Sequence, residues 1–265
     1  MPVKRLAVLG HPVSHSRSPA MQNAALEELG LAAGWKYEAI DVVPEDLPGL
    51  ISRMGSEGFV GANVTVPHKQ AALQAADEAT LAAREIGATN TLSFGPEGIR
   101  ADNTDAPGLL QAIEAPVEGR KALLLGAGGA ARAVLWALNG AGAEVSVWNR
   151  TESRAAELVT ALGGVLDPEP DVSRFDLIVN ASAAGLGGEG GIAELPIDPE
   201  GLRSSQVVVD MVYGDEPSTL LTAAAANGAR TVDGLEILVR QGALSLASWT
   251  GLEPSLEVMR EAAAG

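Results

Sequence analysis

Two segments near the start of the chain are more polar than a plain α/β framework requires: GHPVSHSRSP at 10–19 and GANVTVPHK at 61–69. All three histidines lie in them, and so does Lys69, one of four lysines in the chain. Pro67 ends a strand here, so Lys69 sits just past its C-terminal edge, the side on which open α/β sheets bind ligands. A third polar turn, Asn103-Thr104-Asp105, falls at the expected junction of two domains, where pockets commonly form. A lysine and an aspartate converging there could hold and pass a proton at a hydroxyl or carbonyl oxygen. Standing alone, Lys69 reads as one more solvated lysine; pairing with Asp105 is what gives it a chemical task. In the first segment Ser18 is expected to cap a helix opened by Pro19, with the hydroxyls of Ser16 and Ser18 facing the same crevice.

The cofactor for such chemistry is read from mid-chain. GAGGAAR, Gly126 to Arg132, follows the apolar run Ala122-Leu123-Leu124-Leu125 and opens an alanine-rich helix. Strand, tight turn and helix in that order hold a dinucleotide pyrophosphate, here against Gly126, Ala127, Gly128, Gly129 and Ala130, with Ala131 in place of the third glycine. The next strand, Glu144 to Trp148, runs into Asn149-Arg150-Thr151, with Arg154 one turn on. NAD-binding units carry an acid at this point; arginine forks and a threonine hydroxyl instead suit a 2′-phosphate, so NADP is the expected cofactor. The nicotinamide would exchange hydride at the carbon whose oxygen the lysine and aspartate serve. The plainer alternative is a tight turn followed by ordinary surface arginines.

These residues need elements to position them. Strands are expected at Leu6–Leu9, Lys36–Val42, Phe59–Val66 and around Asn90–Phe94, with helices at Pro19–Leu29 and Pro44–Met54 and helical material from Gln70 to Arg84. A second series has a helix near Ala106–Ile113 and strands at Ala122–Leu125, Glu144–Trp148, Leu177–Asn180, Val207–Met211 and Arg230–Val232. The expected fold class is therefore α/β with two domains: an N-terminal substrate domain with a largely parallel sheet, and a Rossmann dinucleotide domain. A helix from Leu235 to Trp249 should return to the first domain. The expected division is 1–103 plus 238–265 for the substrate domain and 104–237 for the cofactor domain. Gly185 to Gly191, with five glycines, is expected to form a mobile loop over the cofactor.

Composition narrows the partners. Eighteen Lys and Arg against 34 Asp and Glu give a formal net charge of −16, which argues against nucleic acid. No apolar run approaches the ~20 residues of a membrane helix, so no membrane partner is expected. With no cysteine, disulfides and thiolate metal sites are excluded, and no metal is expected. Together with an amino terminus too short in apolar residues for a signal peptide, this points to the cytoplasm.

In their order along the chain, SHSRSP, GANVTVPHK, GATNTL, DNTDAPG, GAGGAAR, NRT, DMVY and DGLEILVRQGA resemble the shikimate dehydrogenase family over almost the whole length. The resemblance implies NADP-dependent, reversible reduction of 3-dehydroshikimate to shikimate in aromatic amino-acid biosynthesis. A monomer or homodimer is expected. It implies a catalytic Lys69 with Asp105 as partner. Substrate contacts fall by position on Ser16, Ser18, Thr65, Lys69, Asn90, Asp105, Tyr213 and Gln241. Cofactor contacts fall on the glycine loop, Asn149, Arg150, Thr151, Arg154, Met211 and Gly234. Ile237 stands where the family often has methionine, and Asn180 to Gly185 is a looser version of the usual turn. A quinate/shikimate dehydrogenase using NAD is the nearest alternative, opposed by Arg150 and Arg154. A non-catalytic NADP- or shikimate-binding regulator is the other, opposed by the intact Lys69 and Asp105.

Overall fold

The computed structural model describes residues 2–185 and 191–265. It divides into two compact units, Met1–Gly108 with Leu238–Gly265, and Leu109–Ile237.

The first unit opens with β1 (Lys4–Gly10), α1 (Ser18–Glu28), β2 (Trp35–Asp41), α2 (Leu47–Met54), β3 (Phe59–Val64) and α3 (Lys69–Gln74). It continues through β4 (Glu78–Ala79), α4 (Leu81–Ile86), β5 (Thr91–Gly95), β6 (Gly98–Asp102) and the start of α5 (Asp105–Ile113). The sheet order is β2-β1-β3-β5-β6-β4. β1 runs parallel to both β2 and β3, and its five C-terminal residues are buried, as befits a strand covered on both faces. In α2 the residues Leu47, Leu50, Ile51 and Met54 recur at helical spacing and form one apolar stripe in the core, with Leu9, Phe59 and Leu92 from the strands.

The sheet departs from the expected parallel pattern in one place that matters. β5 pairs antiparallel with β3, and β6 antiparallel with β5, forming a hairpin where a single short strand is expected from the sequence. Reversal puts the start of β5 and the end of β6 beside the C-terminal end of β3, with Thr91 opposite both Asn63 and Asp102. Asn90 and the turn leading to Asp105 thereby reach the edge where Lys69 begins α3. The stretch expected to be helical from Gln70 to Arg84 is interrupted: α3 ends at Gln74, Glu78 and Ala79 pair with β6, and Thr80 caps α4, accepting the Ala83 N–H at 3.2 Å.

The second unit contains β7 (Lys121–Leu125), α6 (Gly129–Gly140), β8 (Glu144–Trp148), α7 (Glu152–Leu162), β9 (Val165–Leu166) and β10 (Leu177–Asn180). It ends with β11 (Val207–Asp210), α8 (Thr219–Ala226) and β12 (Arg230–Val232). Its sheet, β12-β11-β10-β7-β8-β9, is parallel throughout. Strand order reverses between β10 and β7, the switch point at which doubly wound sheets bind nucleotides. Residues 186–190, within the glycine-rich stretch expected to form a loop over the cofactor, lie outside the described residues. Among the described residues no helix is long and apolar enough to cross a membrane.

Two more helices follow, α9 (Gly234–Thr250) and α10 (Leu256–Ala264), and from Leu238 onward the chain belongs to the first unit. The other boundary lies at Gly108, five residues beyond the expected 103. Thr104 and Asp105 are hydrogen-bonded to Asn90, and Gly108 approaches the backbone of Gln241 so closely that a Cβ there would lie 2.9 Å from its nitrogen, which keeps this turn with the first sheet. Trp249 is seated against β3 at Gly61, and its indole donates to the Leu92 carbonyl at 3.1 Å. A Cβ on Gly61 would overlap the indole ring. Gly61→Ala is therefore expected to destabilise the chain by about 1–3 kcal/mol through overpacking, read as a lower urea midpoint at unchanged m-value; an unchanged midpoint would contradict this packing.

Candidate active site

Lys69 is the first residue of α3, and its neighbour His68 is buried with Nε2 at 2.7 Å from the Val42 carbonyl. That anchor fixes the start of the helix. Lys69 Nζ donates to Asp105 Oδ2 at 2.6 Å, with side chains only 12 % and 7 % exposed. A pair so far removed from water must have its remaining valences satisfied. Asp105 Oδ1 accepts from Asn90 Nδ2 at 2.9 Å, and the same amide nitrogen lies 2.9 Å from Gln241 Oε1. The backbone N–H of Thr104 donates to Asn90 Oδ1 at 2.7 Å, and because an N–H can only donate, the orientation of this amide is settled. Gln241 Nε2 donates to the Leu238 carbonyl at 2.8 Å, which leaves one amide hydrogen of Gln241 for a ligand. The structure thus brings together four predicted site residues of the first unit: Lys69, Asp105 and Gln241 on three different helices, and Asn90 in the turn before β5.

Thr65 is half-buried just past β3 and its N–H donates to Leu9 O at 2.9 Å, which ties the ends of β3 and β1 together. The serine segment follows β1. Ser18 is buried, but it does not cap α1: it is the first helical residue, Arg17 occupies the cap position, and Ser16 Oγ accepts the Ser18 N–H at 3.3 Å. The capping expectation fails because the helix starts one residue earlier, with Pro19 inside its first turn. Asp41 at the end of β2 holds this loop, accepting from Val13 N at 3.2 Å and lying 2.7 Å from His11 Nδ1. The His11 hydrogen bond, followed by smaller contributions, holds the Asp41 carboxyl below its ordinary value.

In the second unit Gly126 follows β7 with a φ of 118°, and a Cβ there would lie 2.8 Å from the Ala181 backbone, so only glycine permits this turn. Gly128 precedes α6, no side chain caps the helix, and the space a Cβ would occupy is open. Uncapped N–H groups at an open helix start fit a pyrophosphate. Ala127, Gly129 and Ala130 are half-buried along the same turn. Asn149 donates to Thr151 O at 2.8 Å, shaping the turn after β8, and the Thr151 hydroxyl is not spent on capping α7. Arg150, Thr151 and Arg154 are exposed, and among the described residues neither arginine is held in an ion pair. Two uncommitted guanidinium groups and a hydroxyl where an acid would otherwise stand fit a 2′-phosphate.

Met211 and Tyr213 are half-buried after β11, and Gly234 opens α9 with its Cα against the Met211 carbonyl, where a Cβ would lie 2.5 Å from that oxygen. Asp210, absent from the sequence-based candidates, shapes this segment. It accepts from Val212 N at 3.0 Å, Asn180 Nδ2 at 2.9 Å and Ser218 Oγ at 2.6 Å. Also missed were the side chains of Asn63, Thr91, Thr104 and Ser245, which form a buried polar cluster beside Asn90. Three of the four stood inside the polar motifs and could have been suspected from their type. Ser245 sits in an otherwise small and apolar helical stretch that carries no such signal.

A parallel sheet with a glycine turn and a basic strand end, in a chain that also buries a lysine–aspartate pair, defines a dinucleotide-dependent oxidoreductase. Family models agree in detail: the shikimate dehydrogenase substrate binding domain matches residues 8–92, shikimate/quinate 5-dehydrogenase matches 109–185, and the shikimate 5′-dehydrogenase C-terminal domain matches 234–264. Shikimate dehydrogenase (NADP(+)) of Anaeromyxobacter dehalogenans strain 2CP-1 is 44 % identical over 92 % of this chain and 90 % of its own length. The shikimate 5-dehydrogenase of Thermus thermophilus, solved with NADP(H) and shikimate, is 43 % identical at a TM-score of 0.90, covering 98 % of both chains. A Listeria monocytogenes shikimate 5-dehydrogenase solved with shikimate and NAD is 26 % identical at a TM-score of 0.86, covering 98 % of this chain and 96 % of that one. The chain belongs to the shikimate dehydrogenase family.

Burial raises the Asp210 carboxyl above its ordinary value of 3.8, against the pull of its hydrogen bonds. The folded state then holds this proton more tightly than the unfolded state, so the group's contribution to stability is greatest below 3.8 and declines as pH rises through the folded value. In urea unfolding, the stability of Asp210→Asn minus that of wild type is expected to rise with pH across this window. A constant or falling difference would contradict the assignment.

Proposed function

We propose that this chain is an NADP-dependent shikimate dehydrogenase, interconverting shikimate and 3-dehydroshikimate in aromatic amino-acid biosynthesis. The observation that carries the reading is the buried Lys69–Asp105 contact at 2.6 Å, flanked by the amides of Asn90 and Gln241. An ammonium has three donors, and Asp105 takes one, so Lys69 keeps N–H groups for a substrate oxygen. In the reductive direction Lys69 gives a proton to the carbonyl oxygen as it becomes a hydroxyl, and in the oxidative direction Lys69 takes that proton back. Asp105 orients the ammonium and holds a neighbouring substrate hydroxyl. NADP, when bound, supplies hydride in one direction and accepts it in the other.

The remaining residues bind and orient. Ser16, Ser18 and Tyr213 offer hydroxyls to the substrate carboxylate, while Thr65, Asn90 and Gln241 suit its ring hydroxyls. The glycine turn from Gly126 to Ala130 holds the pyrophosphate, Asn149, Arg150, Thr151 and Arg154 take the 2′-phosphate end, and Met211 and Gly234 lie along the nicotinamide side. The same reading has the protein working in the cytoplasm on small molecules, as a monomer or homodimer, which suits a cysteine-free chain of net charge −16.

Steady-state assays pairing shikimate or quinate with NADP or NAD test the reading directly. Shikimate with NADP should give the highest kcat/KM; a preference for quinate or NAD would overturn it. Lys69→Ala should lower kcat by about 10²–10⁴-fold while NADP affinity stays within about twofold, since its amine serves the reacting oxygen and not the cofactor. Equal turnover in the variant would remove Lys69 from the chemistry. Arg150→Ala should raise KM for NADP by about tenfold or more, the loss of one charge-assisted hydrogen bond, without changing KM for shikimate.

A further inference from the structure

Asn90 is not held by the active-site pair alone. Behind it lies a line of buried polar groups in the first unit: Tyr37, Asn63, Thr91 and Ser245, each at most 5 % exposed. The Tyr37 hydroxyl donates to Asn63 Oδ1 at 2.8 Å. Asn63 Nδ2 donates to Ser245 Oγ at 2.9 Å, and its other hydrogen goes to the Asn90 carbonyl at 3.1 Å, an acceptor only, which settles the orientation of this amide. Thr91 Oγ1 donates to Asn90 Oδ1 at 3.0 Å. The one hydrogen of Ser245 Oγ has acceptors in reach in Thr91 Oγ1 at 2.8 Å and the Gln241 carbonyl at 3.0 Å. Asn90 Nδ2 then donates to Asp105 Oδ1 at 2.9 Å, and Asp105 Oδ2 accepts from Lys69.

With the Ser245 hydrogen on its shorter contact, to Thr91, every bond from Tyr37 through Asn63, Ser245, Thr91 and Asn90 to Asp105 runs in one direction, and the chain ends on the carboxylate. Hydrogen bonds aligned in this way polarise one another, each donor becoming stronger because its own oxygen accepts. We propose that Thr91 and Ser245 are positioning residues for the reaction: they strengthen the Asn90 N–H as a donor and so keep the Asp105 carboxylate aimed at Lys69. Among the described residues neither is hydrogen-bonded to Lys69 or to Asp105. The inference rests on Lys69 and Asp105 handling the proton. Charged groups on the elements around Asp105 are Lys69 on α3, Arg100 and Asp102 on β6, and Glu236 and Arg240 on α9. Asp102 Oδ1 is occupied by Thr80 Oγ1 at 2.8 Å and Asn103 N at 2.7 Å. Tyr37 is the titratable group at the far end of the line.

Thr91→Val keeps the shape of the side chain and removes its donor, Thr91→Ser keeps the donor and removes a methyl, and Ser245→Ala removes the hydroxyl behind it. Wild type, these variants and Lys69→Ala are compared by kcat, both KM values and the pH profile of kcat/KM for shikimate oxidation. Thr91→Val and Ser245→Ala should each lower kcat about five- to tenfold with KM for NADP unchanged, the scale of one net hydrogen bond, and should move the acidic limb to higher pH. Thr91→Ser should restore both the rate and the limb. A wild-type profile in Thr91→Val, or equal impairment in Thr91→Val and Thr91→Ser, would overturn the proposal. Retained turnover in Lys69→Ala would instead overturn the assignment of the pair on which it rests.

Discussion

Taking an ammonium and a carboxylate out of water costs of the order of several kcal/mol per ion, and their attraction offsets this only when the other valences are filled. Lys69 and Asp105 meet that condition at one edge of the first sheet. Much of the surrounding architecture follows from it. His68 is tied to Val42 so that α3 begins where Lys69 can reach inward. Thr104 offers its backbone N–H to Asn90, so that the Asn90 amide presents donors to Asp105 and Gln241 and not oxygens. Gly108 lets α5 and α9 approach closely enough for Gln241 to join. If Asp105 were removed, the lysine would remain as an unpaired buried charge, so the pair has to be built as a unit.

The second unit relies on simpler physics. Its parallel strands end together, and the turn after β7 exposes backbone N–H groups at the start of α6. Charge there comes from the exposed Arg150 and Arg154, and a guanidinium suits a phosphate without any need for burial. Asp210 is the exception. It is a buried carboxyl that collects three donors from β10, the following turn and the start of α8, and so shapes the segment carrying Met211 and Tyr213.

Five of the six strands of the second unit were readable from sequence nearly to the residue because each carries Leu, Ile or Val between turn residues; the two-residue β9 was not. The β5–β6 hairpin was not. Thr91-Leu92-Ser93-Phe94 alternates as a half-buried strand should, but nothing in a local pattern tells whether the strand runs parallel or antiparallel to β3. That direction decides how Asn90 and Asp105 reach Lys69. The pairing of Lys69 with Asp105 was legible from residue type and position, since both stand past strand ends in polar turns. The supporting hydroxyls were less so: a serine at 245 on a helix of small residues becomes significant only when α9 is laid against Thr91 and Asn63. Ser18 misled as a cap because serine before proline has two roles, and the choice between them turned on a one-residue shift in the start of α1.

The central claim is that Lys69 and Asp105 act as one coupled proton-handling unit in shikimate oxidation, and coupled groups titrate together. Its most direct test is the pH profile of kcat/KM for shikimate with NADP, measured in Asp105→Asn against wild type. Loss of the carboxylate partner should displace the limb assigned to the pair and lower the plateau, because Lys69 loses the group that orients it. A profile of unchanged shape and position in Asp105→Asn would contradict the account.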